Sequence, residues 1–126
     1  MANNLTNYAE ALLLKWLMTD ESVTRPTAWY LALFSSDPGE ATGGTELSGN
    51  GYARQAVDFG VDGASNIGAV TFTASGGNWT TATHAAVTDH VSAGNRLFAG
   101  PLVASKQIDN GDSIVFAVGE IDLALE

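Results

Sequence analysis

The chain contains no cysteine, which excludes disulfides, thiolate metal sites and a cysteine nucleophile, and leaves stability to packing or assembly. Basic residues are scarce: Lys15, Arg25, Arg54, Arg96 and Lys106 stand against fourteen acidic ones, for a formal charge of −9. Scattered cations on so acidic a chain repel a phosphate backbone, so no nucleic-acid partner is expected. Charge of either sign is sparse, 15% of residues against roughly 25% in average domains. The acidity serves either solubility or attraction to an electropositive partner surface. Long apolar runs are missing too. The stretch from Ala11 to Met18 is interrupted by Lys15 and is far too short for a bilayer, and Met1-Ala2-Asn3-Asn4 lacks the basic start of a signal peptide. No membrane partner is expected, and the 126 residues suit a single domain, 1–126.

Signals for chemistry are equally thin. His84 and His90 are the only histidines, and a spacing of six matches neither a helical ligand pair nor a familiar metal motif. His84 is better read as a hydrogen-bonding strand residue. Asp109-Asn110-Gly111-Asp112 resembles the start of a calcium loop, but the spaced oxygen ligands and distal Glu are absent, and Gly111 suits a hairpin turn. The loop acids Asp37, Glu40 and Glu46 attract calcium only if folding gathers them. No GxSxG, HExxH, Walker or GxGxxG sequence occurs. The expectation is a protein without catalytic residues, metal or cofactor.

Two periodicities are present. Leu5, Tyr8, Ala9, Leu12, Leu13, Trp16 and Leu17 follow the i, i+3, i+4, i+7 pattern of an amphipathic helix over about 4–19, with Asn3 or Asn4 as its cap. Leu14 and Met18 widen its apolar surface. Such a helix lies on its own domain or inserts into a neighbouring subunit. After Pro26 the pattern becomes that of strands, over about 27–126. Thr27 to Phe34 is an apolar run suited to a central strand with both faces buried. Tyr52 to Phe59 alternates, with Ala53, Val57 and Phe59 on one face and Tyr52, Arg54 and Asp58 on the other. Further strands are expected at 69–73, 82–88, 96–103, 113–118 and 121–125, about seven in all, separated by Gly- and Asn-rich turns. The fold class is mainly β: an antiparallel β-sandwich, jelly-roll-like, with one N-terminal amphipathic α-helix.

The segment from Ser35 to Gly51, SSDPGEATGGTELSGNG, is long for a connection within a compact domain, where about 4–6 residues is the median, so it is expected to be functional or ordered by a partner. Of the tryptophans, Trp16 follows the helix stripe and Trp29 the apolar strand, and core packing suits both. Trp79, flanked by Gly76, Gly77, Asn78, Thr80 and Thr81, suits an exposed loop anchor for a sugar ring or a lid on the end of the sandwich.

Several segments in order, Leu31 to Gly39, Glu46 to Gln55, Ala69 to Phe72, Trp79, Val87-Thr88-Asp89, Gly94 to Leu102 and the Gly111-Asp112 turn before Ile114 and Phe116, resemble a family of small phage virion proteins. Members of that family are described as tail-fibre-like or capsid-decoration proteins. The resemblance implies a non-enzymatic subunit that coats or cements a virion, with the major capsid protein and copies of itself, as dimer or trimer, for partners. The chain has no collagen-like repeat, coiled-coil heptads or triple-helical stalk, so a capsid decoration or cement protein on the outer capsid surface, assembled in the host cytoplasm, is the expected role. A tail-fibre or receptor-binding protein contacting host glycans is the alternative. Candidate interface residues are Leu14, Trp16 and Met18 on the helix, Asp37, Glu40 and Glu46 in the loop, and Tyr52, Arg54 and Trp79.

Overall fold

The computed structural model describes residues 2–124; Met1, Leu125 and Glu126 lie outside them, and with these the expected pairing at the last two positions of the closing strand. Nine elements follow in order: β1 (Ala2–Leu5), α1 (Asn7–Met18), β2 (Tyr30–Phe34), β3 (Gln55–Ala56), β4 (Val70–Thr73), β5 (Ala82–Thr88), β6 (Arg96–Lys106), β7 (Ser113–Phe116) and β8 (Asp122–Ala124). The strands form a six-stranded sheet, β3-β2-β5-β6-β1-β8, and a two-stranded ribbon, β4-β7. All pairings are antiparallel except β1 with β8, where Ala2, Asn3 and Asn4 run alongside Asp122, Leu123 and Ala124. The fold is therefore mainly antiparallel β with one N-terminal helix, as the periodicity predicts.

Side-chain alternation divides the sheet into two faces. Leu31, Leu33, Ala85 and Val87 point toward the ribbon and meet Val70, Phe72, Ile114 and Phe116 in the principal core, together with Leu47, Trp79, Ile108 and Ile121. Ala32, Phe34, Ala86 and Ala99 occupy the opposite face. β2 is buried on both sides, as its unbroken apolar run requires, but it lies next to the short edge strand β3. β5 and β6 hold the centre of the sheet, β5 between β2 and β6.

Three expectations about local structure change. The chain start is a strand: Leu5 leaves the helical stripe to become a buried residue of β1, paired opposite Phe98. The helix cap is accordingly Thr6, whose Oγ1 accepts from Ala9 N at 3.3 Å and donates to the Arg96 carbonyl at 2.5 Å. The run from Tyr52 to Phe59 pairs only at Gln55 and Ala56, because Gly49, Asn50 and Gly51 all adopt positive φ and turn the chain immediately before it. Tyr52 therefore points into the core and Ala53 is exposed, contrary to the expected faces. Finally, β6 runs three residues beyond its expected end, through an irregularity in which Pro101 pairs with His84 and Lys106 with Ala82.

Asn66, invisible to the hydrophobic pattern, ties the last strands to the ribbon. It is 1% exposed; its Oδ1 accepts from Ile121 N at 2.9 Å, and its Nδ2 donates to the carbonyls of Gly68 at 2.8 Å and Ala117 at 3.0 Å. A buried amide so fully paired replaces a ladder that this irregular segment lacks. Asn66→Ala leaves the Ile121 N–H and the Ala117 carbonyl without these partners, and is expected to lower unfolding free energy by about 2–3 kcal/mol in denaturant titrations.

Candidate functional site

The Ser35–Gly51 loop leaves the end of β2 and returns to the same strand at residues 45–47. Ser35 N donates to Thr45 O at 2.9 Å, Phe34 bridges to Glu46, and Leu47 N donates to Leu33 O at 3.0 Å. The loop thus closes back on itself beside the end of β2. Its tip crosses the second face of the sheet, where Ala32, Ala86 and Ala99 leave little relief for backbone to clear. Arg96, at the start of β6, is the fastener: its Nη1 donates to the carbonyls of Pro38 and Gly43, both at 2.8 Å, while its guanidinium sits 4.7 Å from the centre of the Phe34 ring. The Glu40 carbonyl accepts from Asn7 N at 2.8 Å, joining the loop to the first turn of α1. Gly44 permits the fold-back. Its φ is +66°, and a Cβ would lie 2.8 Å from Ser36 O, Asp37 O and Pro38 Cα.

The far end of the loop is held by an ion pair. Arg54 Nε and Nη2 donate to the two carboxylate oxygens of Glu46 at 2.9 and 2.8 Å, the bidentate geometry that strengthens a guanidinium-carboxylate contact. The same guanidinium reaches the turn between β5 and β6, donating to the carbonyls of His90 at 2.9 Å and Ala93 at 2.7 Å. Tyr52 Oη donates to Glu46 at 2.7 Å and accepts from Leu33 N at 3.0 Å. Its ring stacks on Phe72 and meets Trp79 edge-on, with centroids 6.1 and 5.4 Å away. Burial works to raise the Glu46 carboxyl, but the hydrogen bonds from Arg54 and Tyr52 outweigh it and hold the group below its ordinary value. Burial, followed by the bond to Glu46, pushes the Tyr52 phenol far upward and keeps it a donor. The bond to Glu46 raises Arg54 against the opposing effect of burial.

These contacts order the loop from within the chain. Glu46, Tyr52 and Arg54 form an internal network, Asp37 accepts from Gly39 N at 2.9 Å in a local turn, and Glu40 is exposed beside the helix start. Trp79 is only 4% exposed, and its Nε1 donates to Asn50 O at 2.8 Å. It packs in the core, and the exposed-anchor reading of this residue is corrected. His84 Nδ1 lies 2.9 Å from Thr83 Oγ1. Among the described residues no cluster of His, Asp and Glu is placed to hold a metal ion, so the loop acids are not gathered, and no helix is long and apolar enough to cross a membrane.

The helix presents the opposite picture. Ala9 is its one buried residue among those described, and Leu14, Trp16, Leu17 and Met18 remain 63%, 56%, 65% and 76% exposed. Trp16 and Leu17 were expected to pack inward with the stripe. α1 packs on β6 and β1, and burial along it ends at Leu13, so residues 14–18 stand exposed. Between that turn and residues 23–29 lies an apolar groove of about 310 Å³ lined by Leu12, Leu13, Trp16, Pro26 and Trp29, with Arg25 at its edge. Leu17 and Arg96 belong to the two surfaces that matter, the exposed helix and the fastened loop. Leu17 was hidden by its place in a regular stripe. Arg96 was signalled only by being a lone cation after a Gly94-Asn95 turn.

Two outcomes test the network. Arg54→Ala removes the bidentate partner of a half-buried carboxylate and two carbonyl contacts, and is expected to cost about 2–3 kcal/mol in denaturant unfolding, below the range for a fully buried pair because Glu46 is partly solvated. Since the folded Glu46 value is lowered, its stabilisation is complete above the ordinary value of 4.5 and is lost as pH falls below it through the lowered one. Glu46→Gln is therefore expected to flatten the acid limb of the stability profile; identical pH dependence in the two proteins would refute the assignment.

No curated protein matches the sequence. Residues 4–124 match the family described as Podophage GP4 fiber I protein gp80. That span takes in the end of β1, α1, the fastened loop and every later strand. The chain accordingly belongs to this family of phage tail-fibre proteins and is a non-enzymatic component of the phage virion.

Proposed function

We propose that this chain is a structural subunit of a phage fibre, and that it joins its neighbours in the virion through α1. The observation that carries the reading is the helix: four large apolar side chains in its last five residues stand mostly in water. Leu14, Leu17 and Met18 adjoin one another on the helix surface while Trp16 faces the groove beside residues 23–29, and exposed apolar side chains grouped in this way mark an interaction surface. A twelve-residue helix is also marginal on its own in water and gains most of its stability from packing, which a neighbouring subunit supplies.

The family match favours the fibre over a cement protein bound to the major capsid protein. Glycan contact through Trp79 has no support, since the indole lies in the core. The Ser35–Gly51 loop works as part of the subunit's own framework, with Glu40 and the exposed loop tip left as secondary contacts. Pairing of many copies in one particle multiplies a modest single contact into a durable one.

Phage carrying Leu14→Glu together with Met18→Glu is the direct test. Both positions are solvent-exposed, so the variant is expected to keep wild-type circular dichroism and thermal midpoint. Loss of two apolar contacts from the interface weakens attachment by about a hundredfold, and the subunit is expected to be missing from purified particles. Normal incorporation of the folded variant would overturn the role assigned to α1.

A further inference from the structure

We infer that β7 accepts an extended segment of another virion protein as a third strand of the β4-β7 ribbon, laid over the distal half of β6. The site is separate from α1 and does not depend on the role assigned to that helix.

The hydrogen-bonding pattern leaves this edge open. Ala74 N donates to Asp112 O at 3.0 Å and Gly111 N to Ala74 O at 2.9 Å, so position 74 turns its backbone toward the β7 side. Direction alternates along a strand, so Phe72 and Val70 do likewise and use the N–H and C=O of their opposites, Ile114 and Phe116. Ser113 and Val115 therefore aim theirs the other way, where β7 has no partner strand among the described residues. The usual protections of an exposed edge are missing: the ribbon strands hold no charge and no proline, and Val115 is 54% exposed. The outer edge of β8, by contrast, is covered, since Leu123 N donates to Ala64 O and Asp122 bridges to Ser65.

A bed for the added strand is already in place. Two adjoining cavities of about 230 and 180 Å³ run along β7, both bordered by Ile114, Phe116 and Lys106, and Leu102 and Ala104 of β6 line the larger. β6 overruns its partners here. Its register passes from His84 opposite Pro101 to Ala82 opposite Lys106, so residues 102–105 have no registered partner on β5, and pairing with β1 reaches only Ala99 among the described residues. Alternate side chains of an added strand point to one face, so two aliphatic residues separated by one position fill the two cavities while the main chain bonds Ser113 and Val115. Lys106, at the rim of both cavities, is in neither ion pair of the described residues, and it favours a carboxylate at the end of the incoming segment. A second copy is a poor donor. Pairing β7 with itself needs a two-fold axis normal to the ribbon, which would bring the β6-β1-β8 side of each sheet beneath the partner's ribbon, where the partner's own sheet lies.

The test is a titration of the isotope-labelled chain, followed by amide NMR, with an acetylated and amidated hexapeptide of alternating threonine and valine that ends in glutamate. Short strands bind weakly, so the peptide is taken to about 5 mM. The amides of Ser113 and Val115 are expected to shift, and to exchange with solvent about tenfold more slowly when the peptide is bound. Val115→Pro removes an outward N–H and keeps the bonds to β4, a placement that edge strands tolerate. Ala104→Arg, at an exposed position, fills the groove. Each variant is expected to keep wild-type circular dichroism and to weaken binding about tenfold. Lys106→Glu is expected to reverse the preference between peptides ending in glutamate and in lysine. Unmoved Ser113 and Val115 amides at the highest peptide concentration, or binding that survives Ala104→Arg in the folded chain, would overturn the strand-accepting role. Shifts of the same two amides on concentrating the chain alone would overturn the assignment of the donor to another protein.

Discussion

The carboxylate of Glu46 is where the core, the sheet edge and the surface loop meet. It receives both arms of Arg54 and the Tyr52 hydroxyl, and these two donors, both from the segment just before β3, lead on to different parts of the fold. Through Arg54 it reaches the turn between β5 and β6; through the ring of Tyr52 it reaches Phe72 and Trp79; through the Tyr52 hydroxyl it reaches the backbone of β2. The last link has a structural purpose. β3 pairs with β2 only at Tyr30 and Leu31, so Leu33 would otherwise expose its outward N–H and carbonyl. Tyr52 accepts from the first and Leu47 donates to the second. An edge is thereby closed by a side chain and a returning loop in place of a full strand, which also removes a template for unwanted strand addition.

Glycine-rich sequence and exposed surface are often treated as the same thing, and in this chain they separate. The glycines of the Ser35–Gly51 segment allow the backbone to lie flat over a face built from alanines, where Arg96 and Arg54 fasten it. The regular helix, whose pattern would ordinarily announce an inward face, is the part left uncovered. In the role proposed for α1 this division suits a fibre subunit: the fastened loop fixes the shape of the unit, and the exposed apolar side chains are free for attachment.

Much of the fold was legible because burial writes its period into the chain. The β2 run, the alternation of Val70 and Phe72 with exposed threonines, and the Asn-Gly turns all carry their own geometry. Leu5 was misread because its spacing from Tyr8 and Ala9 is helical by coincidence, while the pairing that makes it a strand residue lies more than ninety positions away at Phe98. Trp16 and Leu17 were misplaced because periodicity reveals which residues share a face, and says nothing of how far the sheet beneath that face extends. The loop was recognised as exceptional from its length, yet the agents that order it, Arg54 and Arg96, act across spans that no local pattern encodes. Tyr52 and Arg54, expected on one face of a strand, instead turn to the core and to the loop respectively, because the glycine-rich turn before them keeps them out of β3.

The parallel pairing of β1 with β8 has a mechanical consequence. A pull applied at Ala2 and at Ala124 draws two adjacent strands past each other along their length, so the bonds between them are strained together and cannot open singly from one end. The same pair seals the β1 edge that follows β6 in the sheet. Load entering at both ends of the described chain would thus meet a seam strained in shear, with its three register pairs loaded together.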